Sequence, residues 1–276
     1  MCNRSDTIKD DYDRATKIGY IILFFMYLIT MGLTLISGYF ARQKLHNKAM
    51  LSLYVSAFAV LFLRIILFMD PLMNYCMETY VVLLISLPTY YYIVTGLSIF
   101  LMLLESILKY KNLLTNENID LSPEERLRRI EKKLKMIDLI HWVPVILMVI
   151  ITIYFTVREI CCAINKCSED YEAHAFVAYE PIIVCNFINF LLLATVAILF
   201  IRELNLRYGQ SYSRAKNTVA TYMTLFSLSY LIRGTDDIFL LIPLNFKALH
   251  SATWLVLFYF LTEVLPMCVI FSVHIS

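Results

Sequence analysis

The sequence predicts an all-α polytopic membrane protein: a bundle of seven transmembrane helices, with its N-terminus outside or luminal and its C-terminus cytosolic. Three observations predict this class. Hydrophobic residues make up 60% of the chain, more than a soluble domain normally contains. Seven apolar stretches are each long enough to cross a bilayer, which takes about 20 residues. Lysine and arginine concentrate in alternate connections between these stretches, as the positive-inside rule requires of the cytosolic side.

The seven stretches form one transmembrane domain, residues 18–273, preceded by an outer N-terminal tail at residues 1–17. The connections after the first, third and fifth stretches hold roughly twice as many Lys and Arg residues as the opposite side. These connections are therefore assigned to the cytosol. The spans are predicted at residues 18–40, 48–69, 80–108, 137–157, 180–201, 218–242 and 252–273.

The connection at residues 109–136 is predicted to be a basic amphipathic cytosolic loop that contains a helix. Ser122 is a typical N-cap, Pro123 suits the first helical position, and Glu125 completes a capping box. Apolar residues from Leu127 to Ile137 recur on one face at helical spacing. Such a helix docks a cytosolic partner or lies on anionic lipid. The alternative is a solvated extension whose charges only set the topology. The candidate docking residues are Arg126, Arg128, Arg129, Lys132 and Lys133.

Four cysteines fall on the predicted outer side and suggest a disulfide. Cys76 precedes the third span, and Cys161, Cys162 and Cys167 follow the fourth. A bridge from Cys76 to one of these three would tie the third span to the outer loop, and such a bridge contributes a few kcal/mol. The sequence does not choose among the three partners, and free thiols are the alternative.

Charged residues inside the predicted spans are costly unless they are paired, so they are functional candidates. Arg233 and Glu263 each lie roughly 15 Å below the outer end of their spans, at 1.5 Å per residue. An Arg233–Glu263 ion pair is therefore predicted. Arg64 lies at about the depth of Asp236 and Asp237 and is predicted to form a second, more superficial network with them. Arg233 and Asp237 also have the i, i+4 spacing of a local pair. These five residues are the predicted intramembrane polar network, and Arg64, Arg233 and Glu263 among them form a pocket or switch or only fix helix packing.

Three prolines predict bends in the spans. Pro88 lies in the third, Pro144 in the fourth and Pro266 in the seventh. Each lacks the N–H that would bond to the carbonyl four residues earlier, so it bends or breaks the helix. Pro266 frees the carbonyl of Thr262, beside Glu263.

Several classes of site are absent from the sequence. The seventh span has no lysine for a retinal Schiff base, and the third ends without an Asp-Arg-Tyr triplet. The five histidines include no i, i+4 pair, and there is no glycine-rich phosphate loop. We therefore expect no metal site, no cofactor and no nucleic-acid binding.

Short motifs in the second, third, sixth and seventh spans resemble those of a known group. They are similar to the THH/TOM-type seven-transmembrane family, which supports tobamovirus multiplication in plants, and to related orphan-receptor-like proteins of lysosomes. The resemblance implies a multi-pass protein of endolysosomal, vacuolar or plasma membranes that regulates small GTPases at its cytosolic face. The motifs are Phe62-Leu63-Arg64-Ile65-Ile66-Leu67-Phe68, Leu87-Pro88, Leu103-Leu104-Glu105, Leu231-Ile232-Arg233 and Thr262-Glu263-Val264-Leu265-Pro266.

The leading hypothesis is a non-enzymatic scaffold or regulator that sits in the lipid bilayer and engages a small GTPase or another cytosolic partner at its basic loops. One alternative is an orphan receptor that couples to a heterotrimeric G protein and binds a ligand in an outer cavity near Arg64, Asp236 and Asp237. A second alternative is a transporter that uses Glu263. Reversing the charge of the basic residues in 109–136 would test the leading hypothesis.

Overall fold

The computed structural model describes residues 10–42, 48–73, 81–114, 123–140, 142–165, 171–208, 213–241 and 252–275, and every regular element in these ranges is a helix. The elements are α1 (Asp10–Phe40), α2 (Lys48–Met73), α3 (Val81–Leu114), α4 (Pro123–Ile140), α5 (Trp142–Asn165), α6 (Tyr171–Tyr208), α7 (Ser213–Leu241), α8 (Ala252–Tyr259), a π-helical turn (Phe260–Val264) and α9 (Leu265–Ile275). The all-α prediction is confirmed for these residues.

Five helices within the described ranges are long and apolar enough to cross a membrane. They include parts of α1, α2, α3 and α6, together with the continuous stretch from α8 to α9. Trp142–Val157 of α5 is a shorter apolar helix. The protein is therefore a helical, multi-pass integral membrane protein. The five segments are Thr16–Phe40, Met50–Met69, Ser86–Leu108, Pro181–Leu206 and Ala252–Ser272.

The helices pack as a closed ring in which α1 contacts both α2 and the C-terminal helices. Around the ring, α2 packs on α3, α3 on α6, α6 on α7, and α7 on the π-turn and α9. Helix α5 packs against α2 and α3 on the outside of this ring. The first and last helical segments of the chain are therefore direct neighbours.

Side-chain contacts give the direction in which several helices run. Ser37 of α1 bonds to Tyr54 of α2, whereas Tyr20 packs on Phe68, so α1 and α2 are antiparallel. By the same reasoning from their contacts, α2 is antiparallel to α3, and α7 is antiparallel to both α3 and the C-terminal helices. Helices α1 and α8 run parallel, since Gly19 lies beside Ala252 while Tyr27 reaches Glu263.

The interior of the ring is closely packed, and the outer faces are apolar. Buried aromatic side chains include Tyr27, Tyr92, Phe226, Tyr230 and Phe271. Large aliphatic side chains such as Ile29, which is 70% exposed, cover the outside of the candidate spans. Apolar surface of this extent suits contact with lipid hydrocarbon rather than water.

Helix α4 begins at Pro123, as the capping pattern predicts, and it ends at Ile140. Residues 137–140 therefore belong to α4, and the prediction of a fourth span that starts at residue 137 is wrong. The physical reason is Pro144, which has no N–H to donate to the carbonyl of Ile140. Pro144 lies in the first turn of α5, so it separates two helices instead of bending one.

Helix ends extend beyond most predicted spans because charged turns continue the helices past the apolar segment. Helix α1 begins at Asp10, inside the stretch predicted as an outer tail, and α6 extends from Tyr171 to Tyr208. Helix α3 continues to Leu114, inside the stretch predicted as the basic loop. Cys76 and Cys167, and the side chains of Cys161 and Cys162, lie outside the described residues, so the disulfide stays a prediction.

Candidate functional site

Glu263 lies in the π-helical turn that joins α8 to α9. The backbone N–H of Leu265 donates to the carbonyl of Phe260, five residues earlier, which is the π-type hydrogen bond. Thr262, Glu263 and Val264 are all buried in this turn. The Thr262 hydroxyl donates to the carbonyl of Phe258 at 2.7 Å, so it is satisfied within the helix. The turn thereby directs the Glu263 carboxylate into the centre of the ring.

Two arginines and one tyrosine bind the Glu263 carboxylate. Arg64 Nη2 donates to Oε1 at 2.7 Å, and Arg64 Nε donates to Oε2 at 3.1 Å. Arg233 Nη1 also donates to Oε1, and the Tyr27 hydroxyl donates to Oε2. Both carboxylate oxygens therefore accept at least two hydrogen bonds, mostly from charged donors, which are the stronger kind.

Thr89 connects the two arginines that bind the carboxylate. Its hydroxyl oxygen accepts from Arg64 Nη2 at 3.1 Å and from Arg233 Nη2 at 3.3 Å. We call Tyr27, Arg64, Thr89, Arg233 and Glu263 the charge cluster. Its members come from α1, α2, α3, α7 and the π-turn, so it joins five segments at one level of the bundle.

Aromatic rings complete the walls around the two guanidinium groups. Arg64 Cζ lies 4.9 Å from the centroid of the Tyr259 ring. Arg233 Cζ lies 5.3 Å from the Tyr92 ring and 5.9 Å from the Phe258 ring. Cation–π contacts of this kind are most favourable where water is excluded. Arg64 and Glu263 are completely buried, so the rings replace part of the hydration that the cations lose.

The predicted position of Arg64 is wrong. The sequence placed it in a superficial network with Asp236 and Asp237, but the structure pairs it with Glu263 beside Arg233. Counting residues gives the depth of a Cα atom, whereas a long arginine side chain carries its charge well beyond that depth. The predicted Arg233–Glu263 contact is present, and Arg64 converts it from a pair into a three-charge group.

Asp236 and Asp237 make separate contacts at the outer end of α7. Trp254 Nε1 donates to Asp236 Oδ1 at 3.3 Å, and Asn186 Nδ2 donates to Asp237 Oδ2 at 3.1 Å. Among the described residues, Arg233 forms its ion pair with Glu263 and not with Asp237, so the predicted local pair is wrong. Glu263 is better placed than Asp237 because it faces the Arg233 guanidinium across the helix interface. Asp237 still supplies a buried negative charge one helical turn from Arg233.

Pro88 and Pro266 lie next to members of the charge cluster. Pro88 is inside the uninterrupted helix α3 and directly precedes Thr89. Pro266 is the second residue of α9 and follows the π-turn. The carbonyl that Pro266 leaves without its usual donor is that of Thr262, within the turn. Both prolines therefore mark places where the backbone departs from ordinary helical hydrogen bonding beside the cluster.

Helix α4 carries the candidate docking residues, and the two whose side chains the structure describes are exposed. Arg128 and Lys132 are exposed, and so are the apolar residues Met136 and Leu139 near its end. The side chains of Arg126, Arg129 and Lys133 lie outside the described residues. The charge cluster and α4 are therefore two distinct features, one buried and one exposed.

The charge cluster has the properties of a buried ion-pair network that holds the helices together. Two cations surround one carboxylate, and every oxygen of that carboxylate is engaged. Removing one partner from a buried ion pair leaves an uncompensated charge and costs about 3–5 kcal/mol. Among the described residues, no group of three or more His, Cys, Asp or Glu residues could hold a metal ion.

Two cluster members were not predicted from the sequence. Tyr27 and Thr89 occur in apolar spans, where a tyrosine or a threonine usually packs or bonds to its own helix. Thr89 follows Pro88 and precedes three tyrosines, but the sequence does not show that two distant arginines meet there. Tyr90, Tyr91 and Tyr92 pack between helices, with the Tyr91 hydroxyl 2.6 Å from Thr152 Oγ1, and they do not line a described cavity.

Comparison of the chain with protein-family models, with curated proteins and with solved structures finds no match. The functional interpretation therefore depends on the residues and on their geometry.

Proposed function

We propose that the protein is a non-enzymatic seven-transmembrane scaffold or regulator that recruits a cytosolic partner through α4. The observation that carries this proposal is the exposure of α4. All of its described side chains are exposed, and they combine cations such as Arg128 and Lys132 with apolar residues such as Leu139, which is 70% exposed. Exposed cations and apolar side chains on the same helix are available to bind another molecule.

The directions of the helices support seven crossings. Helix α7 is antiparallel to α3, so it ends on the face where α3 begins. Only residues 209–212 separate α6 from α7, so α6 ends on the face where α3 ends. Since α6 is a candidate span, the chain must cross once more between α3 and α6, and α5 is the helix available for that crossing.

Helix α7 is not among the five apolar segments, and it carries Arg233, Asp236 and Asp237 together with several Thr and Ser residues. Arg233 and Asp237 are buried inside the bundle and hydrogen-bonded, which removes much of the cost of charge at that depth. With α5 and α7 included, the positive-inside rule places α4 and the C-terminus in the cytosol and the N-terminus outside or in a lumen.

The charge cluster supports a scaffold in preference to a transporter. A carboxylate that carries protons or substrate must exchange with water on both sides, whereas Glu263 is completely buried and held by four donor groups. A rigid bundle suits a protein that presents a docking helix. Flux in liposomes that disappears in Glu263→Gln would instead favour the transporter.

The partner we propose is a small GTPase, following the resemblance of the span motifs to the THH/TOM-type family. The same resemblance places the protein in endolysosomal, vacuolar or plasma membranes. The basic side chains of α4 suit the acidic surface of a protein partner, because complementary charge steers association.

Charge reversal on α4 tests this proposal. The variant Arg128→Glu/Lys132→Glu should abolish recruitment of cytosolic partners in proximity labelling of the full-length protein. The matched control is Arg42→Glu/Arg202→Glu, which reverses two exposed cations on the same predicted face. Equal labelling by the α4 variant and the control would remove α4 as the docking site. Equal protein levels would show that neither variant acts through folding.

A receptor is the second candidate, and one observation favours it. Asn186 is completely buried, and its Oδ1 has no hydrogen-bond partner among the described residues. This oxygen lies on the amide that donates to Asp237, so a ligand with an N–H or O–H group could satisfy it. Ligand-dependent activation of a heterotrimeric G protein that is lost in Asp237→Asn would favour the receptor over the scaffold.

A further inference from the structure

An apolar groove of about 470 Å³ lies between α1 and the C-terminal helices, on the outside of the bundle. Its walls include Gly19, Ile22 and Met26 on one side and Thr253, Val256 and Phe260 on the other. Both walls belong to segments that are apolar and long enough to cross a membrane, and Ile22 and Thr253 are exposed. The groove therefore opens towards the hydrocarbon of the bilayer.

Gly19 deepens the groove at its outer end. A Cβ atom at this position would lie 3.5 Å from Ala252 Cβ and 3.5 Å from Val256 Cγ2, in ordinary van der Waals contact. The missing methyl group leaves that contact unfilled. The parallel helices keep the groove open from Gly19 to Met26, which is about 10 Å along the helix axis.

Lys17 directly precedes Ile18, the first residue of α1 that lines the groove. It is exposed and has no ion-pair partner among the described residues. A lysine at the end of a span extends its ammonium group towards the lipid headgroups, where it attracts phosphate. An apolar groove next to an exposed cation is complementary to a molecule with a hydrocarbon chain and an anionic head.

The inner end of the groove adjoins the charge cluster. Met26 of the groove precedes Tyr27, whose hydroxyl donates to Glu263. Phe260 is both a wall residue and the first residue of the π-turn that holds Glu263. A chain bound in the groove would pack against both segments that position the carboxylate. A ligand that binds only the folded protein stabilises it by mass action.

We propose that this groove binds an anionic phospholipid, with one acyl chain between α1 and α8 and the phosphate at Lys17. The bound lipid supports the charge cluster from the outside. This site is independent of α4 and of any cytosolic partner.

The test uses the full-length protein in detergent, with phosphatidylglycerol and phosphatidylcholine of identical acyl chains as probes. Native mass spectrometry should show that the wild-type protein retains phosphatidylglycerol about fivefold better, the preference that one lysine near a phosphate gives. Thr253→Trp fills the groove and should lose both lipids. Lys17→Gln should bind both lipids equally.

Two matched controls separate the groove from the rest of α1. Ile29→Trp places the same bulk on an exposed position of α1 outside the groove, and Arg42→Gln removes an exposed cation at the other end of that helix. Both should retain phosphatidylglycerol like the wild type. If Thr253→Trp does not fold, Ile22→Trp fills the same groove from the opposite wall.

Four results would overturn the proposal. Retention of lipid by the folded groove-filling variants would show that the chain binds elsewhere. Equal retention of the two lipids by the wild-type protein, or an unchanged preference in Lys17→Gln, would remove the headgroup contact. A dimer of the wild-type protein that Thr253→Trp dissociates, without any loss of lipid, would show that a second copy occupies the groove.

Discussion

Glu263 binds two cations that come from helices far apart in the sequence. Arg64 and Arg233 both bond to it, and both also bond to Thr89. The three charged groups are buried, so each depends on the others for the interactions that water would otherwise supply. The roles of the three are unequal, because there is only one carboxylate for two guanidinium groups.

This inequality predicts different costs for removing the anion and for removing one cation. Glu263→Ala leaves two buried guanidinium groups without a counter-ion and should lower the free energy of unfolding by about 3–5 kcal/mol. Arg64→Met leaves the balanced Arg233–Glu263 pair and should cost less. Thermal unfolding of both variants in the same detergent measures the difference. A greater loss in Arg64→Met would contradict the assignment of Glu263 as the central counter-ion.

Gly96 allows the closest approach between α3 and α7. A Cβ atom at this position would lie 2.7 Å from Tyr230 Cζ, and the hydroxyl group of Tyr230 donates to the carbonyl of Tyr92 at 2.5 Å. Gly96→Ala should therefore destabilise the protein by about 1–3 kcal/mol through overpacking. Thermal unfolding checks this expectation.

Gly32 provides the control for this substitution, because a Cβ atom there would meet nothing within 4 Å. Gly32→Ala should be neutral or stabilise the helix by up to about 1 kcal/mol. Adding Tyr230→Phe to Gly96→Ala removes the crowded hydroxyl and should restore part of the loss. Similar stability of the two alanine variants would show that a Cβ atom at position 96 does not crowd Tyr230.

The sequence predicted part of the charge cluster, and physical reasons limit the remainder. Matching the depths of Arg233 and Glu263 predicted their contact, since adjacent helices place equal depths side by side. It misplaced Arg64, because residue counting ignores the reach of the side chain. Tyr27 could not be predicted, since a tyrosine in an apolar span has the same pattern whether it packs or donates a hydrogen bond to a carboxylate.

At the scale of elements, three prolines act differently according to their position in a helix. Pro88 remains inside α3, Pro144 separates α4 from α5, and Pro266 follows the π-turn. The sequence predicted a bend at each, because it shows the missing N–H but not where each helix begins. Pro123 was placed correctly at the start of α4, since the capping residues around it define a helix start.

Pro144→Ala tests the separation of α4 from α5. Alanine restores an N–H that can donate to the carbonyl of Ile140, and a proline inside a helix costs about 3 kcal/mol relative to alanine. The two helices should then join, and amide hydrogen exchange between residues 140 and 146 should slow by tenfold or more. Pro123→Ala is the control, because a proline at the first helical position blocks no helical hydrogen bond. Unchanged exchange in Pro144→Ala would show that another feature ends α4.

At the scale of the whole molecule, the ring closes where the first and last helical segments meet. Helix α1 packs on α8 and α9 and contributes Tyr27 to the charge cluster. Five segments of the described chain satisfy a hydropathy criterion for spanning, although the sequence pattern predicts seven. The difference arises in α5 and α7. The described apolar part of α5 is short, and the buried charges of α7 lower its hydropathy even though they face the bundle interior.

Tags placed on either side of α7 test the number of crossings. A glycosylation acceptor inserted at residues 209–212 and one inserted at residues 242–251 should report opposite faces of the membrane if α7 spans it. We expect glycosylation only at 242–251, because the positive-inside rule places residues 209–212 in the cytosol. The same modification state at both positions would contradict a span at α7. A tag before residue 10 should match the result at 242–251.

The position of Glu263 in the last helical segment also has a consequence for biosynthesis. A chain is made from its N-terminal end, so Arg64 and Arg233 are synthesised before the carboxylate that binds them. Until that segment arrives, the nascent protein contains two guanidinium groups with no carboxylate to bind them at the same level. Insertion of the segment that carries Glu263 therefore supplies the carboxylate to which both guanidinium groups bond.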